Sequence, residues 1–445
     1  MSGEPLTRTE PAPPVRIVHL GLGNFFRAHQ AWYTASAPDA ADWGIAAFTG
    51  RSSTLADALS AQEGLYTLVT RAADGDTCTV VGSLAAAHPG TDLDAWRGYL
   101  ARSDVRIVTM TVTEAAYLDS DHPDVRADLT ALRADPQASV TTVPARLVAG
   151  LAARRAAGAG ALTVVSCDNL PDNGTVAARV VTGSAAELDP ELAEWIRDTV
   201  SFATTMVDRI TPATTEDDVR SVAEQTGRAD AAPVVTEPYA EWVLSGEFPG
   251  GRPAWDTAGA RFVADITPYE QRKLWLLNGG HSLLAYAGSA RGHQTVAEAV
   301  SDGQCRRWLE QWWDEAAGHL PLPAGEIAAY RSALIERWAN PRIQHRLAQI
   351  AADGSAKLPV RILPVLRAER AAGRMPAGAV RVIAAWLAHL RGAGAPVRDA
   401  AADSLREAAT GSPAEATRRV LTVLDPQLAA DDALLAELVA ALDGR

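Results

Sequence analysis

A short apolar strand followed at once by a glycine-rich turn is the feature that most restricts the fold of this chain. Val15–Leu20 is rich in β-branched residues, which fits a buried strand, and Gly21-Leu22-Gly23 follows it directly. The next residues read as a helix. In such a unit the first glycine makes the turn and the second lets a pyrophosphate approach the helix N-terminus. The pattern predicts a dinucleotide-binding βα unit, with an ordinary βα turn as the alternative.

Further apolar runs alternate with helical stretches through residues 1–266. Gly44–Phe48, Val105–Val112 and Leu162–Ser166 are strand-like, whereas Val143–Ala157 and Pro190–Val200 have helical patterns. This alternation predicts an α/β domain with a doubly wound, largely parallel sheet. Ligands of such sheets bind beyond the C-terminal ends of the strands.

The sequence changes character near position 267, where β-branched runs give way to segments rich in Ala, Leu and Arg. We predict a second, all-helical domain over residues 267–445, with its tryptophans in the core. Its predicted helices are Val296–Trp313, Ala324–Trp338, Pro341–Ala352, Ala377–Leu390, Ala414–Leu424 and Asp432–Leu442.

Charge and cysteine usage restrict the partners and the compartment. A net charge of −13 argues against nucleic acid and anionic membranes as partners. Cys78, Cys167 and Cys305 are scattered, which indicates neither a disulfide framework nor a zinc site, so we expect a reducing compartment. Met1–Pro14 lacks the pattern of a signal peptide, and no apolar run is long enough to span a bilayer. These features predict a cytoplasmic protein, and they carry no signal for an oligomeric state.

Polar residues follow several of the predicted strands. Thr113 and Glu114 come directly after one, and Asn169 follows another, which predicts that all three lie at the ligand-binding edge. A turn-forming role for Asn169 is the alternative. After Gly44–Phe48, the segment that often carries an acid for the ribose of NAD has Arg51 instead, which suits the 2′-phosphate of NADP. Arg51 exposed to solvent is the alternative.

Only two lysines, Lys273 and Lys357, occur among the 41 basic residues of the chain. Arginine cannot replace a lysine that must lose its proton, because guanidinium stays charged at any working pH. Lys273 is therefore a candidate general base, with chance survival as the alternative. On an α-helix, Glu270 and His281 would share its face, and Asn278 would lie about 140° away at the edge of that face.

Five sequence blocks occur in order along the chain: GLGNFFRAHQ (21–30), SCDNLPDNG (166–174), MVDRITP (206–212), TEPYAEWV (236–243) and KLWLLNGGH (273–281). Taken together, they resemble the blocks of the polyol-specific long-chain dehydrogenases. The resemblance implies a Rossmann-type N-terminal domain, a mostly helical C-terminal domain, a site between them, and catalysis without a metal. The absence of metal-ligand spacing among the nine histidines and three cysteines agrees with that.

The resemblance also assigns catalytic roles. It makes Lys273 the general base in alcohol oxidation and the acid in ketone reduction. Asn169 and Asn278 match a pair of amides that hold the reacting oxygen, and His281 matches a histidine that orients the substrate. Glu270 matches a carboxylate that passes the proton between the lysine and water.

Further residues are predicted to bind cofactor or substrate. Phe26 stands where a third glycine is usual, which is a trait of the family. Asp208 matches a residue that lines the site. Lys357 and Arg361 resemble a loop that approaches the substrate, with a surface charge at a helix start as the alternative for Lys357. The predicted cofactor-binding residues are Gly21, Gly23, Asn24, Phe25, Phe26, Arg51, Thr113 and Glu114.

The resemblance therefore implies a metal-independent oxidoreductase that uses NAD or NADP, with NADP favoured by Arg51. Its substrate would be a small polyol or keto-sugar, such as a mannitol-like polyol and its 2-ketose. A hexuronate reductase of the same fold is one alternative. A nucleotide-binding sensor without catalytic activity is the other.

Overall fold

The computed structural model describes residues 3–50 and 52–443 of the 445 in the chain. Arg51 therefore lies outside the described residues. The chain divides into two compact units, of which the first ends at Thr267 and the second begins at Pro268. No helix in the described part of the chain is both long enough and apolar enough to cross a membrane.

The first unit contains β-strands that form one large and two small sheets. The strands are β1 (Glu4–Pro5), β2 (Val15–Leu20), β3 (Gly44–Phe48), β4 (Tyr66–Arg71), β5 (Asp76–Val81), β6 (Leu84–His88), β7 (Ile107–Met110), β8 (Leu162–Ser166), β9 (Val200–Asp208), β10 (Arg228–Ala229), β11 (Val234–Thr236), β12 (Glu241–Ser245) and β13 (Arg261–Phe262).

The large sheet has the strand order β13-β12-β9-β8-β7-β2-β3-β6. Neighbouring strands from β6 to β9 are parallel, and β12 joins β9 antiparallel. The small sheets are β11-β4-β5 and β1-β10. The prediction of a doubly wound, largely parallel sheet is confirmed.

Apolar residues cover both faces of the large sheet, as the uninterrupted apolar strands predict. Ile17 and Ile107 belong to one buried cluster, whereas their neighbours Val18 and Val108 belong to the other. Successive side chains of a strand point to opposite faces, so a strand buried on both sides is apolar throughout. The helices of this unit are α1 (Asn24–Ala28), α2 (Gln30–Ser36), α3 (Thr54–Ala61), α4 (Leu93–Leu100), α5 (Pro123–Ala134), α6 (Val143–Ala156), α7 (Asn173–Leu188), α8 (Pro190–Thr199) and α9 (Glu216–Thr226).

The second unit is helical throughout its described residues, apart from turns and an isolated bridge between Thr295 and Arg346. This confirms the predicted helical domain. Two stretches, Lys273–Gly279 and Leu284–Gly288, are π-helical. The α-helices are α10 (Thr267–Arg272), α11 (Gly280–Leu283), α12 (Val296–Ser301), α13 (Gly303–Ala317), α14 (Ala324–Trp338), α15 (Leu347–Ile350), α16 (Gly354–Arg361), α17 (Leu363–Ala371), α18 (Ala377–Leu390), α19 (Ala402–Ala408), α20 (Pro413–Leu424) and α21 (Asp432–Asp443).

Two predicted helices of this unit were wrong in extent. The helix predicted over Val296–Trp313 breaks at Asp302, because its carboxylate accepts hydrogen bonds from the backbone N–H groups of the next helix and caps its start. The helix predicted over Pro341–Ala352 is reduced to α15. Residues at its middle pair with another segment instead: Val296 N donates to His345 O at 3.0 Å, and Leu347 N donates to Gln294 O at 3.0 Å.

The π-helix from Lys273 to Gly279 is held by the indoles of two successive tryptophans. Trp312 Nε1 donates to Trp275 O and Trp313 Nε1 donates to Leu276 O, both at 2.8 Å. A Cβ added at Gly279 would lie 2.8 Å from Trp312 Nε1, so the glycine is what lets this indole approach the backbone. The helix is thereby fastened on its buried side.

Candidate active site

Four parallel strands of the first unit bring predicted site residues to one edge of the sheet. Gly21 follows β2, Thr113 follows β7, Asn169 follows β8, and Asp208 ends β9. Because these strands run parallel, their C-terminal ends share one edge, where ligands of such sheets bind. Thr113 and Asn169 are exposed there, whereas Asp208 is buried.

The two glycines of the turn after β2 differ in the space around them. Gly21 has φ +109°, and an added Cβ would lie 2.1 Å from Thr111 O, so only glycine fits without a shift. An added Cβ at Gly23 would meet nothing nearer than Gly21 O at 3.6 Å. The space beside Gly23 is therefore open to a ligand. A loop that binds a pyrophosphate, called the cradle below, requires such a space.

The aromatic residues after the glycine turn pack against neighbouring rings and so stabilise the turn. The Phe26 ring is fully buried and stacks on His19 with 3.5 Å between ring centroids, while Phe25 stacks on His29. Asn24 donates to Thr214 Oγ1 at 3.3 Å and accepts from Arg27 at 2.7 Å. These side chains shape the loop through packing and hydrogen bonds.

His19 should make the free energy of unfolding depend on pH. Burial lowers the pKa of His19 to about 3, and its two ring nitrogens bond to the hydroxyls of Thr109 and Thr111. Since the folded-state pKa lies below the ordinary 6.5, the unfolded chain binds a proton that the folded chain does not. Between pH 6.5 and 3 we therefore expect His19 to lower the free energy of unfolding by about 1.4 kcal/mol per unit decrease in pH.

Urea titrations at a series of pH values check this expectation against His19→Gln. The variant should lose less stability on acidification than the wild type. Equal slopes for the two proteins would show that His19 is not held neutral.

A cavity of about 360 Å³ lies beyond β3. Gly50, Ser52 and Thr54 contribute to its lining, together with Leu22 from the glycine turn and Leu55. It offers hydroxyl groups, and no carboxylate lines it among the described residues. In an α/β fold this position suits the adenosine half of a dinucleotide.

In the second unit, the π-helix changes which side chains share a face. Its hydrogen bonds span five residues rather than four, so Lys273 and Asn278 return to the same side of the helix. The estimate of about 140° between them, made for an α-helix, is therefore corrected. Asn278 Oδ1 is buried and has no hydrogen-bond partner among the described residues. Such an atom is costly unless a ligand satisfies it.

His281 lies one turn further along, in a cationic environment. Its Nε2 is buried and lacks a hydrogen-bond partner within the described residues, and its ring contacts those of Trp338 and His345 at 4.7 and 5.0 Å. Burial lowers the pKa of His281 well below its ordinary value, and His345, Arg337 and Arg361 lower it further. The imidazole is therefore neutral at working pH.

The remaining predicted residues of this unit differ in their surroundings. Arg361 Nη1 reaches the same helix and donates to Asn278 O at 3.4 Å and Ser282 Oγ at 3.3 Å. Lys357 Nζ donates to Ile350 O at 3.3 Å and Ala352 O at 2.5 Å, so part of its hydrogen-bonding capacity serves the end of a helix. Glu270 is half-buried on α10, one turn before Lys273.

Comparison with known proteins identifies the family. Residues 15–257 match the family model described as the mannitol dehydrogenase Rossmann domain, and residues 265–444 match the mannitol dehydrogenase C-terminal domain.

The chain belongs to the mannitol dehydrogenase family.

Two curated relatives and two solved structures are similar to this chain over most of their length. D-mannonate oxidoreductase of Escherichia coli strain K12 is 39% identical, over 85% of this chain and 80% of the relative. Mannitol 2-dehydrogenase of Pyrenophora tritici-repentis is 35% identical, over 96% of this chain and 79% of the relative. A D-sorbitol dehydrogenase in substrate-free form superposes with a TM-score of 0.88 at 31% identity, over 99% of this chain and 96% of that one. The Pseudomonas fluorescens mannitol 2-dehydrogenase ternary complex with NAD and D-mannitol gives a TM-score of 0.82 at 32% identity, over 99% and 94%.

Membership of the mannitol dehydrogenase family confirms the predicted fold class and the predicted enzyme class. The chain is an oxidoreductase that acts on CH–OH groups with a nicotinamide cofactor. The roles predicted for individual residues remain predictions.

The sequence alone did not predict a role for Asp168, the carboxylate beside Asn169. Asp168 accepts hydrogen bonds at Oδ1 from Val112 N at 2.7 Å and Thr113 N at 2.9 Å, and at Oδ2 from the Tyr117 hydroxyl at 2.6 Å. Thr113 has φ +81°, which a β-branched residue rarely adopts. The signal that could have found Asp168 is its position after a buried strand.

One group of potential metal ligands occurs among the described residues, namely His293, Asp302 and Cys305. Asp302 Oδ2 already accepts from Arg291 at 2.8 Å and from His293 at 3.0 Å, and its Oδ1 caps α13. These contacts lower the pKa of the Asp302 carboxyl, with His293 as the largest cause. Asp302 therefore caps a helix and forms an ion pair with Arg291.

Proposed function

We propose that this member of the mannitol dehydrogenase family oxidises a mannitol-like polyol to its 2-ketose and catalyses the reverse reduction. The observation that carries the proposal is the π-helix from Lys273 to Gly279. It gives one side of a helix an amine and a carboxamide whose oxygen lacks a partner among the described residues. Alcohol oxidation without a metal needs a base for the hydroxyl proton and a neutral N–H donor to the developing oxyanion, and the Lys273 amine and the Asn278 amide N–H are groups of these two kinds.

The proposed chemistry begins at the substrate hydroxyl. Hydride leaves a carbinol carbon readily only as its oxygen gains alkoxide character, so a base must take the hydroxyl proton. We assign that role to the Lys273 amine, which returns the proton during ketone reduction. A bound nicotinamide cofactor supplies the hydride acceptor. Lysine suits the role because its ammonium can lose a proton when desolvated, unlike guanidinium.

Asn169, Asn278 and His281 are proposed to hold the substrate. The N–H group of the Asn278 carboxamide would direct its dipole at the developing oxyanion without introducing a competing charge. A polyol hydroxyl would satisfy the buried oxygen of Asn278, and another would satisfy His281 Nε2. His281 suits this role because it stays neutral and keeps one donor and one acceptor nitrogen.

The glycine turn and the neighbouring cavity are proposed to hold the cofactor. Gly23 would let the pyrophosphate approach, and the cavity lined by Gly50, Ser52 and Thr54 would take the adenosine half. The lining offers hydroxyl groups, and Arg51 lies between Gly50 and Ser52 in the sequence, so this segment suits a 2′-phosphate. We therefore expect kcat/KM with NADP to equal or exceed that with NAD.

Gly23→Ala separates cofactor binding from folding. Gly23 has φ −150°, which alanine adopts without strain, and its new Cβ would meet only Gly21 O at 3.6 Å. We expect an unchanged melting temperature and a dissociation constant for NADH raised about tenfold, because the methyl group fills the space of the pyrophosphate.

Gly21→Ala is the matched comparison for this variant. Its Cβ would lie 2.1 Å from Thr111 O, and its φ of +109° is unfavourable for alanine, so it should lower the melting temperature. Calorimetry and NADH fluorescence titration measure both effects. Wild-type NADH affinity in Gly23→Ala would remove the proposed cradle.

A substrate panel tests the proposed reaction. Mannitol, other hexitols, pentitols, fructose, mannonate and fructuronate are each assayed by nicotinamide absorbance with NAD and with NADP. The proposal expects the highest kcat/KM for a neutral hexitol and its 2-ketose. A strong preference for the acidic sugars would overturn it.

A hexuronate reductase is the second candidate. It is favoured by the position of Arg361, which reaches the Asn278 turn and could bind a carboxylate, and by the 39% identity to D-mannonate oxidoreductase. The same panel distinguishes the two candidates, because only the second requires a charged substrate.

A further inference from the structure

We propose that Asp168 is a positioning residue, which holds Thr113 and Asn169 in the arrangement that cofactor and substrate need. This inference rests on the proposed function, because it concerns the same edge of the sheet. Asp168 touches the ends of two neighbouring strands. Its own strand is β8, and its side chain binds the backbone that leaves β7.

The Asp168 carboxylate is fully engaged within the protein. Oδ1 takes two successive backbone N–H groups, from Val112 and Thr113, and Oδ2 takes the Tyr117 hydroxyl. The same hydroxyl also bonds to Ser166 Oγ. These hydrogen bonds, which we call the clamp, therefore join the segment after β7 to the last residue of β8.

The clamped segment is strained. Thr113 has φ +81°, in the region that side chains with a Cβ rarely occupy, and the strain is greater for a β-branched residue. Such a conformation persists only where the surroundings impose it. The Asp168 carboxylate does so by binding the N–H groups before and at Thr113. Thr113 and Glu114 are both exposed, so the strained segment faces outward, where a ligand can reach it.

The backbone of Asp168 is fixed as firmly as its side chain. Its carbonyl oxygen accepts from Asn173 Nδ2 at 2.9 Å. Asn173 also donates to Thr205 O at 2.8 Å and accepts from Thr205 N at 2.9 Å, which joins this point to β9. Asn169 is the next residue, so these bonds determine where its carboxamide leaves the sheet.

The carboxylate is held at a cost to folding. Burial raises the pKa of Asp168, and Glu114 adds to that effect, although the bonds from Tyr117, Thr113 and Val112 oppose it. The thiol of Cys167 also lies nearby, and burial raises its pKa to about 12, so it adds no negative charge at neutral pH. Ionisation of Asp168 is therefore less favourable in the folded chain than in the unfolded chain.

Two substitutions at Asp168 and one control test the proposal. Asp168→Ala removes the clamp. Asp168→Asn keeps it, because an amide oxygen accepts from both N–H groups while Nδ2 donates to the Tyr117 oxygen. The control is Asp128→Ala, since Asp128 Oδ2 likewise accepts two successive N–H groups and a hydroxyl, from Thr141 and Thr142.

Three measurements are compared across these variants. Hydrogen exchange of residues 111–118 reports the clamp without requiring activity, NADH fluorescence titration gives the dissociation constant, and polyol oxidation gives kcat. Asp168→Ala should exchange faster in this segment, lower kcat about 100-fold and weaken NADH about tenfold. Asp168→Asn should stay within about threefold of the wild type, since one hydrogen-bond geometry replaces another. Asp128→Ala should lower only the melting temperature.

Each outcome bears on the proposal. Unchanged exchange in Asp168→Ala, or an Asp168→Asn variant as impaired as Asp168→Ala, would overturn it. A lower melting temperature of Asp168→Ala, with kcat and NADH affinity unchanged, would show an ordinary structural role. That result would also overturn the proposal. Failure of the proposed function appears separately, as a wild type that oxidises no polyol, and the exchange measurement still decides the role of Asp168.

Discussion

Lys273→Met should lower kcat for polyol oxidation by about 10³-fold, because the variant has no group to take the hydroxyl proton. Methionine keeps the length of the side chain and its apolar contacts, so the helix should remain folded. NADH affinity should be nearly unchanged, since the glycine turn and the cavity beyond β3 belong to the first unit. Stopped-flow and steady-state assays measure the rate, and fluorescence titration measures the affinity.

Lys273→Arg is the matched comparison. It keeps the positive charge but cannot lose a proton at any working pH, so it should be nearly as inactive as the methionine variant. Substantial activity in the arginine variant would mean that position 273 contributes charge rather than proton transfer. Wild-type turnover in either variant would remove the proposed base.

Asn278→Ala should lower kcat by about 10²–10³-fold, the cost of losing one donor to a developing oxyanion. The loss should appear in kcat more than in KM, since the donor acts mainly in the transition state. The fold should tolerate the change, because Asn278 Oδ1 has no partner to lose among the described residues.

Asn340→Ala provides the control for this variant. Asn340 Oδ1 accepts from Arg342 N at 3.0 Å and shapes a turn, so its loss should lower the melting temperature and leave kcat near the wild-type value. If Asn278→Ala altered KM alone, the carboxamide would bind substrate without stabilising the transition state.

Much of the first unit could be predicted from sequence because its signals are local. Val15–Leu20 and the glycines after it specify a buried strand and a tight turn, and both occur where predicted. Lys273 stood out because only one other lysine exists in the chain. The edge position of Asn169 followed from the strand before it.

The features that escaped prediction depend on distant parts of the chain. The π-helix is stabilised by the indoles of Trp312 and Trp313, more than 30 residues away, so a local period of 3.6 misplaced Asn278. Residues 345–347 pair with the segment near Thr295, which no local pattern reveals. In the sequence, Asp168 is one acidic residue in a predicted turn, whereas the structure shows three hydrogen-bond donors directed at its carboxylate.

The two sides of the π-helix have separate tasks, which suggests how this enzyme could be re-engineered. Its anchorage comes from Gly279 and Gly280 against indole rings, and from carbonyls bound by tryptophans. Asn278 takes little part in that anchorage, and Lys273 stands at the first turn. Libraries randomised on the reactive side should therefore yield many well-folded proteins, so new sugar preferences could be selected there without compensating mutations elsewhere.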